Sequence, residues 1–277
     1  MSKRPEPEEI AQKVRAARKY AAISPELVSA VSAAETPKSK KEPEAVKRVK
    51  TKLHQMVGAY LESDMPFAEW LGQLAAATPA ERPAVCRGIL QSHASTRERL
   101  PEIGDFFAAA FAGLPPPETV VDLACGFNPL ARCLMPLPAT TTYVACDVHL
   151  EILAFVESAL KLMSYPVVTS PLNLISDSPV PAADVVLLLK AIPCLEQMEK
   201  HVGTRLLARI EAPVIIVSYP TTALGGTRRG MARFYEERFL KIVPVDRFDI
   251  ETYHFDSELM FRLFNRKARS HSRAPAS

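Results

Sequence analysis

A chain of 277 residues, 48% apolar and 23% charged, carries enough apolar material for one large domain and a smaller companion. That balance excludes a disordered, collagen-like or disulfide-stapled chain. No apolar run reaches the roughly 18–20 residues that cross a bilayer, and residues 1–9 are charged and proline-rich, which reads against a secretory leader. Five cysteines (Cys86, Cys125, Cys133, Cys146, Cys194) form no C-x-x-C pair, so a zinc knuckle is not expected and a reducing cytoplasm is. Net charge is only +3, yet thirteen Lys and Arg face seven acids up to Tyr60. The N-terminal part is therefore expected to meet a polyanion, although a solvated helix surface gives the same pattern.

In chain order, Ile10, Val14, Ala17 and Ala21 recur at helical spacing, with Lys13, Arg15, Arg18 and Lys19 on the other faces. Ser24-Pro25 reads as an N-cap followed by proline at the first helical position. Residues 36–43, polar and lysine-rich with two prolines, are expected to be a mobile linker. Leu53, Val57, Tyr60 and Leu61 give the next helix its apolar face, just after the basic Lys47, Arg48 and Lys50. Within 101–113, Ile103, Phe106, Phe107, Ala110 and Phe111 form a stripe that should pack on the next domain. Pro115-Pro116-Pro117 marks a division into a helical domain over 1–114 and a second domain over 115–265. There, short apolar runs at 119–124, 143–147, 167–169, 184–189, 214–218, 245–250 and 259–264 alternate with helical stretches such as 150–163 and 195–210. This alternation predicts an α/β fold, a mostly parallel seven-stranded sheet covered on both faces and ending in an antiparallel pair. Residues 266–277 read as a basic disordered tail.

Ligands of such sheets sit at the carboxyl ends of the strands. The first strand runs into Asp122-Leu123-Ala124-Cys125-Gly126-Phe127-Asn128-Pro129, where Ala124 and Gly126 let backbone approach a ligand. It is not a dinucleotide fingerprint. An acid followed by a small-Cys-Gly turn resembles the first motif of methyltransferases, and a purely structural turn is the competing reading. The second strand ends in Asp147, 25 positions after Asp122, suited to accept from ribose hydroxyls or to cap the next helix. Asn173-Leu174 follows the third strand and could meet an adenine amine and ring, or form a turn. The fourth strand delivers Leu188-Leu189-Lys190, and Lys190 needs a partner or a cleft there.

Several runs carry a family resemblance. Residues 52–60 (Lys52-Leu53-His54 to Tyr60), 92–100 (Ser92-His93-Ala94-Ser95-Thr96-Arg97-Glu98-Arg99-Leu100), 122–130, 187–196 and 219–225 resemble the aminoglycoside-resistance 16S ribosomal RNA (guanine-N7)-methyltransferases. The resemblance implies a Rossmann-like class I core that binds S-adenosyl-L-methionine, preceded by a helical RNA-binding domain. It implies methyl transfer to a guanine N7 in the decoding site of the 30S subunit, blocking aminoglycosides. By carry-over, Tyr60, His93, Ala94, Ser95 and Arg99 line the cofactor site, Arg99 toward the methionine carboxylate. Ala124, Gly126, Asp147, Asn173, Leu174, Leu189 and Gln197 complete it. Asn173 departs from the family, which has an acid there. Read without the resemblance, Ser95-x-x-Glu98 is a capping-box pattern.

Guanine N7 has an in-plane lone pair and needs no general base, so catalysis by positioning is expected, with Lys190 framing the target base. RNA phosphates would meet Lys13, Arg15, Arg18, Lys47, Arg48, Lys50, Arg228 and Arg229. A monomer without metal or membrane attachment is expected. Two other readings compete: an RNA cytosine-C5 methyltransferase with Cys194 as nucleophile, and a non-catalytic RNA-binding protein on the same fold.

Overall fold

The computed structural model describes residues 5–61, 65–221 and 228–271, the side chains of 58–61, 228–231 and 269–271 excepted. Four helices open the chain: α1 (Pro7–Arg15), α2 (Arg18–Ala21), α3 (Pro25–Glu35) and α4 (Glu42–Leu61). They close on a core of their own around Ile10, Val14, Ile23, Leu27, Val28, Val49 and Leu53. The Ser24 hydroxyl caps α3 by accepting from the Leu27 amide at 3.3 Å, with Pro25 at the first helical position as the sequence suggests. The expected mobile linker over 36–43 is instead ordered. Thr36–Lys38 form a 3-10 turn, and Thr36 and Ser39 are buried. The Glu35 carboxylate, at 2.7 Å from Lys38 and 3.0 Å from Arg48, ties the turn to α4.

A second helical group, α5 (Phe67–Ala76), α6 (Arg82–Gln91), α7 (Ala94–Arg97) and α8 (Ile103–Phe111), leads to the sheet. Its apolar residues do not form a separate core. Leu74, Cys86, Ile89, Phe106, Phe107 and Phe111 join Val120, Tyr143, Leu187, Ile216 and Met260 in one cluster on one sheet face.

The strands are β1 (Thr119–Leu123), β2 (Thr142–Asp147), β3 (Val167–Pro171), β4 (Val185–Leu189), β5 (Val214–Pro220), β6 (Phe248–His254) and β7 (Glu258–Asn265). They stand in the order β3-β2-β1-β4-β5-β7-β6, parallel except for β7, which runs antiparallel to β5 and β6. Helix α9 (Leu150–Leu162) covers the first face with α5, α6 and α8. Helices α10 (Ala191–Met198), α11 (Val202–Arg209) and α12 (Arg228–Ile242) cover the second, against Val121, Leu123, Val186, Leu188, Val217 and Phe261.

Three boundaries depart from expectation. The single helix over 195–210 is two, broken where His201 adopts φ 66°. The sixth strand starts at Phe248, because residues 244–247 turn, with the Arg247 amide donating to the Pro244 carbonyl at 2.9 Å. A last helix, α13 (Arg266–His271), extends β7 into the part expected to be disordered. No helix of the described residues is long and apolar enough to cross a membrane. Among those residues, no cluster of three or more His, Cys, Asp or Glu could hold a metal.

Candidate cofactor and substrate site

Where β1 ends, Ala124 (φ 52°) and Gly126 (φ 48°) both take the left-handed backbone conformation. Glycine adopts it without strain, whereas an alanine there costs energy that surrounding structure must offset, a pattern common at ligand sites. The turn brings the Gly126 amide to Asp147 Oδ2 at 2.9 Å. Asp147 Oδ1 accepts from the amides of Val148 (2.7 Å) and His149 (3.1 Å). Burial raises the Asp147 pKa, and these three amides pull the other way. Three of about four acceptor positions on the carboxylate are thus used, leaving Oδ2 one for a ribose hydroxyl. The helix after β2 is capped by His149, whose Nδ1 accepts from Ile152, so the helix-cap reading of Asp147 is not realised.

Strand alternation puts Glu258, at the start of β7, on the same face as Met260, the face covered by α8. There it receives Arg99 twice, Nε to Oε1 at 2.7 Å and Nη2 to Oε2 at 3.0 Å, with Lys190 Nζ at 3.2 Å. Burial alone would raise the Glu258 pKa, but the charges of Arg99 and Lys190 and the bonds from Arg99 and Ser218 hold it below the ordinary value. Arg99 Nη1 donates to Asn128 Oδ1 at 2.7 Å, and Asn128 Nδ2 donates to Asp122 Oδ2 at 2.8 Å. The Tyr143 hydroxyl donates to the same oxygen at 2.7 Å. Asp122 is buried and its pKa is pushed up to about 7, first by burial, against the bonds from Asn128 and Tyr143 and the charge of Arg99. Sequence reasoning missed Glu258, Asn128 and Asp122 as members of this network.

Lys190 caps α10 in the left-handed conformation, φ 55°. Its ammonium meets three acceptors: the Ser95 carbonyl at 3.0 Å, Glu98 Oε2 at 2.7 Å and Glu258. These two hydrogen bonds and the ion pair tie the 93–99 segment to β4 and β7. The capping box at Ser95-x-x-Glu98 does not form. Helix α7 starts at Ala94, Ser95 Oγ lies 2.8 Å from His93 Nδ1, and Glu98 turns to Lys190. His93 packs edge-on to Phe127, and burial, then the charges of Arg97 and Lys190, lower its pKa to about 4, leaving a neutral ring at pH 7.

The remaining expected site residues divide. Ala94, Ala124 and Gln197 are exposed, Ser95 and Leu189 half-buried, Leu174 buried. Asn173 is buried and its Oδ1 accepts from the Ile175 amide at 3.1 Å, the turn reading of that residue. The side chains of Tyr60, Arg228 and Arg229 lie outside the described residues. On the helical unit, Arg15, Arg18 and Lys47 are exposed. Lys13 pairs with Glu42 at 2.6 Å, Arg48 with Glu35, and Lys50 sits 5.8 Å from the Tyr20 ring. Cys194 is exposed, and desolvation pushes its thiol above the ordinary value.

The strand order, the glycine turn and the acid closing β2 define a Rossmann-like class I methyltransferase. A family model described as ribosomal RNA methyltransferase (FmrO) matches residues 15–258, and the chain belongs to that family. A Frankia casuarinae protein named 16S rRNA (guanine(1405)-N(7))-methyltransferase is 39% identical over 238 residues, 83% of this chain and 84% of that relative. A Micromonospora echinospora protein of the same name is 36% identical over 238 residues, 84% of this chain and 87% of that relative. The crystal structure of the 16S rRNA methyltransferase RmtF in complex with S-adenosyl-L-homocysteine superposes with TM-score 0.80 at 28% identity, covering 96% of this chain and 99% of that one.

Proposed function

We propose that this chain transfers a methyl group from S-adenosyl-L-methionine to N7 of a guanine in the decoding site of 16S rRNA, in the assembled 30S subunit. It thereby confers resistance to aminoglycosides, and it acts as a cytoplasmic monomer. The observation that carries this proposal is the Gly126–Asp147 contact at the sheet's carboxyl rim, in a family whose relatives bear that activity by name.

The residues fit the cofactor. Asp147 keeps an acceptor position for a ribose hydroxyl, and Asn173 keeps amide capacity beyond its turn bond. Arg99 reaches the loop after the glycine turn through Asn128, and two guanidinium protons beyond its bonds to Glu258 and Asn128 would remain for a carboxylate. When bound, S-adenosylmethionine supplies an electrophilic methyl carried by positive sulfur. Guanine N7 would attack through a lone pair with no proton to remove, so no base is needed, and neither His93 nor the ion-paired Lys190 is assigned that role. Their work is to fix the 93–99 segment so that nucleophile and methyl meet nearly in line. Arg15, Arg18 and Lys47, with Arg228 and Arg229, would hold RNA phosphates.

The test uses 30S subunits and labelled S-adenosylmethionine, with the modified base mapped by mass spectrometry. Wild type should place one methyl on a decoding-site guanine. Asp147→Ala should lose cofactor binding by calorimetry while keeping its fold. Inert 30S subunits, or unchanged cofactor affinity in Asp147→Ala, would refute the reading.

A further inference from the structure

The turn that supports Asp147 faces two ways. On its inner side the amides of Val148 and His149 donate to the Asp147 carboxylate. On its outer side it is stitched to the N-terminal helical unit. Ile23 and His149 form an antiparallel bridge. The Ser24 amide donates to the Val148 carbonyl at 2.8 Å, and the Leu150 amide donates to the Ala22 carbonyl at 2.7 Å. Val148 also packs against that unit's apolar core, and Ile23 is fully buried. Two successive peptide units therefore have their N–H groups on the carboxylate, while the same stretch is clamped from outside by residues 22–24.

We infer that the Ala22–Ser24 segment is a positioning element for the cofactor acid: the helical unit that carries the basic residues also sets the Val148–His149 turn and, through it, the orientation of Asp147. This rests on the reading that Asp147 holds the ribose. The Val148 carbonyl that accepts from Ser24 and the His149 amide that donates to Asp147 lie in one peptide plane, and the Leu150–Ala22 bond holds the next plane. Loss of either outer bond would therefore misdirect the His149 amide, and directional hydrogen bonds weaken steeply with misalignment. Seating of the helical unit on RNA and affinity for the cofactor then share one turn, so each is linked to the other.

Proline substitution at two positions tests this without forcing the local backbone. Ser24 has φ −53° and Leu150 is the first residue of α9, both compatible with proline. Ser24→Pro and Leu150→Pro each delete one stitching amide. Ser24→Ala and Leu150→Ala remove the same side chains and keep the amides. The quantity read is the ratio of S-adenosylhomocysteine dissociation constants, proline over alanine variant, by calorimetry, with circular dichroism confirming fold. The ratio should be about 3–10, the worth of one ordinary hydrogen bond. The KM for S-adenosylmethionine should rise while kcat at saturation holds. In an Asp147→Asn background the ratio should fall to about 1. Ratios near 1 in the native background, or ratios that persist once the Asp147 charge has been removed, would overturn the inference. Unchanged affinity in Asp147→Asn alone would instead show that the ribose reading had failed, and the inference with it. Two independent sites keep the test alive if one proline variant does not fold.

Discussion

Removing Glu258 should destabilise the protein sharply, because its carboxylate is the buried anion shared by two cations that have almost no access to water, of which Arg99 would be left without an anion. Arg99 is 3% exposed, the Lys190 side chain 9%, and Glu258 itself is fully buried. Breaking a buried pair from one side costs about 3–5 kcal/mol, most of it from the charge left behind. Unfolding entropy of about 2.1 cal/mol/K per residue gives about 0.6 kcal/mol/K for this length, so Tm should fall by about 5–9 °C in Glu258→Ala. Glu258→Gln should fall nearly as far, since its amide would present donors to donors. The sign of the pH dependence follows from the lowered pKa. A depressed carboxylate contributes stability above its unfolded pKa, near 4.5, and loses it as pH falls through the folded value. Thermal melts of wild type and Glu258→Gln should therefore be far apart at pH 7 and converge as pH drops below about 4.5. A Tm change under about 2 °C at pH 7, or a gap unaffected by acid, would refute this account of the network.

Asp122→Asn should show the opposite slope. A carboxyl raised to about 7 favours the fold when protonated and loses that contribution as pH rises from about 3.8 through 7, so the Asn variant should gain a few kcal/mol on wild type across that window in denaturant melts. Arg15→Glu with Lys47→Glu should raise KM for 30S subunits several-fold and flatten its salt dependence, leaving cofactor affinity within twofold in calorimetry. Cys194→Ala should retain methylation, because a raised thiol is a poor nucleophile; loss of activity with a trapped RNA adduct in wild type would favour the cytosine-C5 reading.

Much of the sheet was legible because β-branched runs such as Val120-Val121 and Val214 to Val217 have few alternatives once helices flank them. The glycine turn and Asp147 were legible by spacing. Glu258 was not, since a lone acid beginning an edge-adjacent strand looks solvated, and only the antiparallel register with β5 reveals that it faces inward. The same holds for Lys190: its need for a partner was readable, its three partners were not. The triple proline does mark the entry to β1, but apolar packing from α5 to α8 runs straight across it, and no local pattern announces which face of a sheet a distant helix will cover.

The Arg99–Glu258 pair joins residues 159 positions apart. During synthesis, β7 emerges after every other strand of the sheet, and closing so long a loop is slow compared with local folding. Until then Arg99 and Lys190 lack their shared anion, and the 93–99 segment is held to β4 only by the bonds from Lys190 to Ser95 and Glu98. Competence for methyl transfer is thereby timed to the completion of the sheet, so a partly made chain should sit on its ribosome without modifying it.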